Sequence, residues 1–427
     1  MTWIEDIVEN TYRNYKNRKI VLWGKYSVSE KIKNKLKEVY GIDTAFYVDK
    51  DVSKIDNKQV FFTGCLKGKA DKYYVIVPVA YYQSLKEELI GGGYKKNQDY
   101  YYFCDCIVKM TDDYYEDSHG NKIIGSYNKS KFVFSGFNSV VRVGENINFN
   151  NSSFYIYNDV EIEIGGNCSV EDSVWHVEQN TSIQIGNKCV IKNGVWNTDR
   201  THINIGDGCA ISNGVWNVNS AHIEIGNGCA INGCVWNVNG TYIEIGSMCN
   251  IRDNKWTTQS QSHLKLGNGG QYYPGEMWLE ENSRIIIGRD FSIRYEYNFS
   301  ACRYTQIIIG DDVMCSTNVY FLSNDGHSIF DVRTGMNINS TEEISKSRKI
   351  LIGSHVWIGA NSMILYNTEI HDGSIIGAGS LVKSEIPNNC IAAGVPVKVI
   401  KKDVAWSRKS CADKVMESED AYAHLTE

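Results

Sequence analysis

The strongest constraint on this chain is a four-residue pattern, two β-prone residues around a variable one and then glycine, that returns about every twenty residues. It reads VRVG at 141–144, IEIG at 162–165, IQIG at 183–186, INIG at 203–206 and IEIG at 223–226 and 243–246. It continues as LKLG at 264–267, IIIG at 285–288 and 307–310, and ILIG at 350–353. Successive starts are 21, 21, 20, 20, 20, 21, 21, 22 and 43 residues apart, so the last step is double length. A period this regular folds as a stack of coils, in which no coil buries its apolar face alone and each covers the next.

The best-kept coils divide further. IGNGCA at 225–230 is followed by INGCVW at 231–236 and then by eight residues before Ile245 restarts the cycle. Six, six and eight predict a three-sided coil whose sides are short strands paired with the coils above and below, roughly 4.8 Å away. Glycine is expected to turn the corner in a positive-φ conformation. Stacking aligns Cys168, Cys189, Cys209, Cys229 and Cys249 in one column and Trp175, Trp196, Trp216, Trp236 and Trp256 in another. Both columns are expected to be core, because free cysteine packs like a small hydrophobe and no CxxC pair suggests a metal or redox site. His202, His222, Tyr242 and His263 form a further column, read as a surface stack, and no metal is expected.

Composition narrows the class. With 427 residues, 42% hydrophobic and 22% charged, the chain has room for two or three units. Four prolines leave little for disordered linkers. A net charge of −6 without a basic block excludes the electrostatic footprint of a nucleic-acid binder. No stretch approaches the roughly 18 apolar residues of a membrane-spanning helix. The opening MTWIEDIVENTYRNYKNRK lacks an apolar signal core, and thirteen cysteines, an odd number, fit a reducing cytoplasm better than a disulfide scaffold. A cytoplasmic location is therefore expected.

Residues 18–104 lie outside the repeat. KIVLW at 19–23, TAFYV at 44–48 and YYVIV at 73–77 read as strands, 29–39 and 82–90 as helices, and 100–103 closes the unit. This alternation predicts a small α/β, Rossmann-like domain over 1–104, with an N-terminal helix over 2–16. Of a GxGxxG fingerprint only Gly24 is present, and Asp49 stands where a ribose-binding acid would be. Nucleotide binding and a structural or docking role both stay open. Residues 105–125 read as a linker, 126–284 as scaffold coils, 285–401 as the coils that carry chemistry, with a loop over 323–349, and 402–427 as a polar tail.

The chemistry-bearing coils hold VWIG at 356–359, IGAGS at 376–380 and AGVP at 393–396, with SNDGHSIFD at 323–331 inside the double-length step. Together these resemble the hexapeptide-repeat acyltransferases of left-handed parallel β-helix fold, in their maltose, galactoside and nodulation-type O-acetyltransferase branch. The close match spans 285–401, about a quarter of the chain. The resemblance implies His327 as general base, since a histidine with pKa near ~6.5 suits proton removal from a hydroxyl. Asp325 or Asp331 would orient the imidazole, or else cap the loop's turn. Coenzyme A would lie along Trp357, Ala360, Ala378 and Lys383, with Lys398 and Lys401 near its phosphates, and Asn298 would touch the acceptor sugar. The family's active site lies between subunits, which implies a homotrimer.

The expected activity is therefore acetyl transfer from acetyl-CoA to a hydroxyl of a carbohydrate, such as a bacterial capsular or other surface polysaccharide or its precursor. N-acetylation of a nucleotide-linked amino sugar would give the front domain a role. A non-catalytic β-helix scaffold is the reading from another class.

Overall fold

The computed structural model describes all residues except 1–2, 26, 50–53, 57, 79–87, 96–97, 103–107, 118, 126–130, 195, 197, 254–255 and 410–421. The chain forms two compact units, Met1–Tyr127 with Phe132–Val141 and Tyr155–Val160, and Asn128–Lys131 with Arg142–Phe154 and Glu161–Glu427.

The first unit is built on a five-stranded parallel sheet in the order Val60–Phe62, Thr44–Asp49, Lys19–Trp23, Tyr73–Val77, Tyr100–Tyr102. Successive side chains of a strand face opposite sides. Ile20, Leu22, Tyr74 and Ile76 accordingly bury against Ile7, Ile32 and Leu36 of the helices Trp3–Asn14 and Ser27–Tyr40. Val21, Trp23, Val75 and Val77 bury on the other face against Leu66 and Leu89. Strands covered on both faces read as unbroken apolar runs, as KIVLW and YYVIV do. Gly24, at φ 80°, leaves the first strand, and its carbonyl accepts the Ser29 hydroxyl at 2.6 Å. Most of the helix expected over 82–90 lies outside the described residues.

The expected linker over 105–125 is itself structured. Val108–Met110, Tyr114–Asp117 and Lys122–Gly125 pair antiparallel. The buried Asp117 carboxylate accepts the backbone N–H groups of His119 and Asn121, both at 3.0 Å, and so closes the turn between the last two.

In the second unit the repeated tetrads form one parallel sheet from Glu161–Ile164 to Glu385–Ile386, every coil in register with the next. Ile203 pairs with Ile223 and Ile223 with Ile243. Across the double-length step Ile307 still pairs with Ile350, so the extra residues are excluded as a loop without a slip in register.

Two expectations about the coil need correction. The tetrad glycines are not the positive-φ residues; those fall two positions later, at Asn167, Lys188, Gly208, Gly228, Met248 and Gly269. Glycine ends the tetrad because neighbouring coils touch there. A Cβ on Gly165 would lie 2.7 Å from the Gly186 carbonyl carbon, and one on Gly206 would lie 2.8 Å from that of Gly226. Nor is every side a strand. Where the step shortens to 20 residues, the tryptophan-bearing side winds through left-handed backbone, with φ of 52° at Trp216, 35° at Asn217 and 42° at Val218, and makes no ladder.

The indoles of the tryptophan column hold those coils together. Trp175, Trp196, Trp216, Trp236 and Trp256 stack at 4.2, 4.3, 4.5 and 4.9 Å between successive centroids, all fully buried. Offset aromatic stacking adds to the burial of so large a surface. The cysteine column is core as well. Each thiol donates to the carbonyl of the tetrad glycine one coil on, Cys209 to Gly226 at 3.1 Å and Cys229 to Gly246 at 3.0 Å. For Cys209 the bond with Cys189 lowers the thiol pKa, but the link to Cys229 and burial outweigh it, and the group is pushed up to about 11. Cys168, Cys189 and Cys229 are raised as well and stay protonated, whereas at Cys249, the end of the column, the bond with Cys229 holds the thiol below its ordinary value.

Part of the polar tail is anchored on the coils. The Trp406 indole stacks on His355 at 4.2 Å and donates to its carbonyl at 2.7 Å, while the Arg408 guanidinium reaches the Asp312 carboxylate.

The glycine geometry makes a prediction. Gly206→Ala, at an ordinary φ, should lower stability by about 1–3 kcal/mol through overpacking. Gly208→Ala, with φ 67° and open space around it, should cost only the ~1–2 kcal/mol of the left-handed backbone. Denaturant titration of the two variants checks the order; equal losses, or a larger one at Gly208, would show that corner contact does not set the glycine.

Candidate functional site

The loop inside the double-length step leaves the sheet formed by Thr257–Thr258, Gly275–Leu279, Tyr297–Ala301, Tyr320–Leu322, Met363–Leu365 and Leu381–Val382. In Tyr297–Ala301 the buried positions alternate with Asn298 and Ser300, which face outward. Asn298 pairs in register with Glu276 on one side and Tyr320 on the other. The strand that follows Asn298's own leads directly into Ser323 and the histidine loop, so the structure brings Asn298 and the loop to one sheet.

His327 is exposed, and among the described residues its imidazole has no hydrogen-bond partner. Its backbone is fixed instead. The buried Asn339 donates from Nδ2 to the His327 carbonyl at 2.8 Å and to Asp325 Oδ2 at 2.9 Å, and accepts the Ile329 N–H at 2.6 Å. Neither candidate carboxylate bonds the imidazole. Asp331 caps a turn, accepting the N–H groups of Arg333 at 2.9 Å and Thr334 at 2.8 Å. Asp325 is the loop's anchor, since Arg348 Nη2 donates to its Oδ2 at 3.0 Å and the Tyr366 hydroxyl to its Oδ1 at 2.9 Å. Burial pushes the Asp325 pKa up, but the bonds from Asn339, Tyr366 and Arg348 outweigh it and hold the carboxyl below its ordinary value.

Arg348 is 5% exposed, with its guanidinium 3.9 Å from the centre of the Tyr366 ring. Lys383 lies 4.0 Å over the same ring and donates to the Tyr366 hydroxyl at 2.9 Å. Lys383 thus belongs with the loop anchor. Asn339, Arg348 and Tyr366 were not legible as site residues in the sequence, because only folding brings residues 325, 339, 348 and 366 together; the one local signal was a charged residue preceding the strand that resumes the repeat.

The other candidates gather elsewhere on the coils. Trp357, exposed on its outer side, pairs with Met314 below and Ile375 above. The strand Lys398–Lys401 closes the same sheet antiparallel to Ile391–Ala393, with Ala393 opposite Lys398 and Ile391 opposite Lys401, and all four of its residues are exposed. Ala360 and Ala378 occupy the corner after this sheet, where the Gly379 N–H donates to the Ala360 carbonyl at 2.8 Å. A Cβ on Gly359 would meet Ala378 N at 2.6 Å, so close approach fixes glycine here too. The exposed Ala378 N–H has no acceptor among the described residues. From this corner, strand Met363–Leu365 runs in register with Tyr320–Leu322 toward the loop, about three residues or ~10 Å. Corner and histidine loop lie at opposite ends of that strip within one chain.

Residues 349–384 match the protein family described as Bacterial transferase hexapeptide (six repeats). The chain is 35% identical over 143 residues to the polysialic acid O-acetyltransferase of Escherichia coli O1:K1 / APEC, covering 33% of this chain and 44% of that protein. It is 36% identical over 126 residues to the galactoside O-acetyltransferase of Escherichia coli K12, covering 30% and 58%. The chain thus spans about half the length of these relatives. The crystal structure of the polySia-specific acetyltransferase NeuO aligns with a TM-score of 0.33 and 20% identity, over 69% of this chain and 97% of that one.

The anchor is testable. A carboxylate whose folded pKa lies below its unfolded value, ~3.9 for Asp, contributes stability at neutral pH that is lost as pH falls through the folded value. Asp325→Ala also leaves the buried Arg348 without its carboxylate. We expect this variant to be cleaved by protease within 323–349 at neutral pH while its far-ultraviolet dichroism stays unchanged, and the wild-type loop to become cleavable only below pH ~4.

Proposed function

Because the chain belongs to the hexapeptide-repeat acyltransferases, we propose that it is an acetyl-CoA-dependent O-acetyltransferase acting on a carbohydrate hydroxyl, such as that of a bacterial surface polysaccharide or its precursor. The observation that carries this reading is the His327 loop, an exposed imidazole without a protein partner among the described residues on a backbone held by Asn339 and Asp325.

Neutral His327 takes the proton of the acceptor hydroxyl while that oxygen attacks the thioester carbonyl. The C–S bond then breaks, and the imidazolium returns the proton to the departing CoA thiolate. No acyl-enzyme is needed, and the base raises the rate by about 10²–10⁴. Backbone N–H groups would stabilise the tetrahedral oxyanion, and the Ala378 N–H would serve the pantetheine amides beside Trp357 and Ala360. Lys398 and Lys401 supply charge for the CoA phosphates, without the bidentate geometry of arginine. Asn298 faces the acceptor. The separation of loop and corner within one chain supports a homotrimer in which the corner of one copy serves the loop of the next. Asp325 acts as a positioning residue through the loop backbone, and Asp331 caps a turn, the alternative that the sequence leaves open beside orienting the imidazole.

Purified protein mixed with acetyl-CoA and a panel of oligosaccharides and nucleotide-linked amino sugars should release CoA thiol with a hydroxyl acceptor. His327→Ala should lower that rate by at least ~10². Unchanged turnover in His327→Ala removes histidine as the base. Acetylation confined to amino groups converts the reading to N-acetyltransfer, and the absence of both CoA binding and discharge leaves a scaffold.

A further inference from the structure

Away from the loop, the tetrad sheet carries a second cluster of chemistry-bearing side chains. His202 and His222 sit in register on adjacent coils, their rings stacked 4.9 Å apart with an interplanar angle of 18°. Glu224 lies two residues beyond His222, on the same outward face of the strand. Its Oε1 is 3.0 Å from His222 Nε2 and 3.4 Å from His202 Nε2, and the three ligand atoms all lie within 4.8 Å of one another. In a tetrahedral zinc site with bonds of about 2.0–2.1 Å, neighbouring ligand atoms are separated by about 3.3 Å. Both histidine–glutamate distances match that edge. The third edge, between the two imidazoles, is no longer than 4.8 Å, and the stacked rings would have to turn to aim both nitrogens at one ion.

The carboxylate is already oriented. Asn204, paired with Glu224 in register, donates from Nδ2 to Glu224 Oε2 at 2.8 Å, leaving Oε1 turned to the histidines. Such outer hydrogen bonds fix ligand orientation in metal sites. In the histidine column Ser182 takes the position before His202 and Tyr242 the one after His222, while Glu244, the register partner of Glu224, pairs its carboxylate with Lys265 at 2.6 Å. All three side chains are about one-third exposed, which leaves the remaining coordination positions to water.

We propose that His202, His222 and Glu224 form a surface site for one divalent transition metal of the zinc class, which ties two scaffold coils together. Two imidazoles and a carboxylate suit zinc better than calcium or magnesium. The site is distinct from the His327 loop and independent of the reading of that loop.

The test uses the full chain, stripped with EDTA and titrated with Zn²⁺ by calorimetry, with metal counted by mass spectrometry. One zinc per chain is expected, together with a rise in melting temperature. His202→Ala and His222→Ala should each weaken binding at least tenfold, and Asn204→Ala about tenfold through the freed carboxylate. His371→Ala, at a separate histidine facing Glu385 and not Glu224, should leave it unchanged. Cobalt(II) gives a readout that needs no variant, a visible tetrahedral band that appears on binding and is lost on acidification as protons compete with the metal for its ligands. The proposal is overturned if the wild type takes up no zinc, if the double His202→Ala/His222→Ala variant keeps it, or if His371→Ala loses it.

Discussion

Everything in the repeated part of the molecule depends on the distance at which one coil meets the next. Parallel strands lie about 4.8 Å apart, and at the tetrad corner a Cβ would run into the next coil, 2.7 Å from the following glycine's carbonyl carbon at both Gly165 and Gly186. A residue with no side chain at that point lets the ladder bonds continue around the bend. The same carbonyls then accept the thiols of the cysteine column. Glycine, cysteine and the paired isoleucines are three expressions of one spacing, and the tryptophan stack fills the interior where the shortest coils form no strand.

That regularity allows chemistry to be added at low cost. The pairing of Ile307 with Ile350 carries the stack past the loop, so the loop is folded by its own polar network and not by the core. Asn339 and Arg348 are nearly buried and spend their donors on Asp325 and on the backbone of His327. An imidazole left exposed on a fixed backbone is suited to meet a substrate, because the cost of ordering its peptide is met before binding. Stacking serves the histidine column in the same way: a spacing set by backbone pairing places two imidazoles and a carboxylate within 4.8 Å of one another on a surface that the apolar core does not constrain.

Much of this was legible in the sequence. The period gave the stack and its register, and the motifs at 323–331, 356–359 and 376–380 pointed to a loop and a corner that the structure indeed builds. Failures came where contacts are not local. Corner glycines at positive φ do occur two positions after the tetrad, at Gly208, Gly228 and Gly269, but the tetrad glycine itself is set by the neighbouring coil, a steric reason that one dimension does not report. The segment 105–125, read as a linker, pairs with itself because Asp117 closes a turn whose side-chain bonds no pattern of hydrophobicity reports. The resemblance puts Lys383 along coenzyme A, and the hydrogen bond it donates to the Tyr366 hydroxyl across the sheet is a contact that no spacing reports.

The sequence by itself determined the parallel β-helix, the alternating α/β unit in front of it, the columns of cysteine and tryptophan, and the one break in the period. These follow from spacing, because a stacked coil or a parallel strand imposes a periodicity that survives in one dimension. Tertiary structure alone decided which groups meet: that Asp325 faces Arg348 and Tyr366 and not the imidazole, that the corner and the histidine lie at opposite ends of a strip, and that Glu224 turns one oxygen to two histidines. Side-chain reach and direction set those meetings, and residues far apart in the chain carry no mutual spacing from which they could be read.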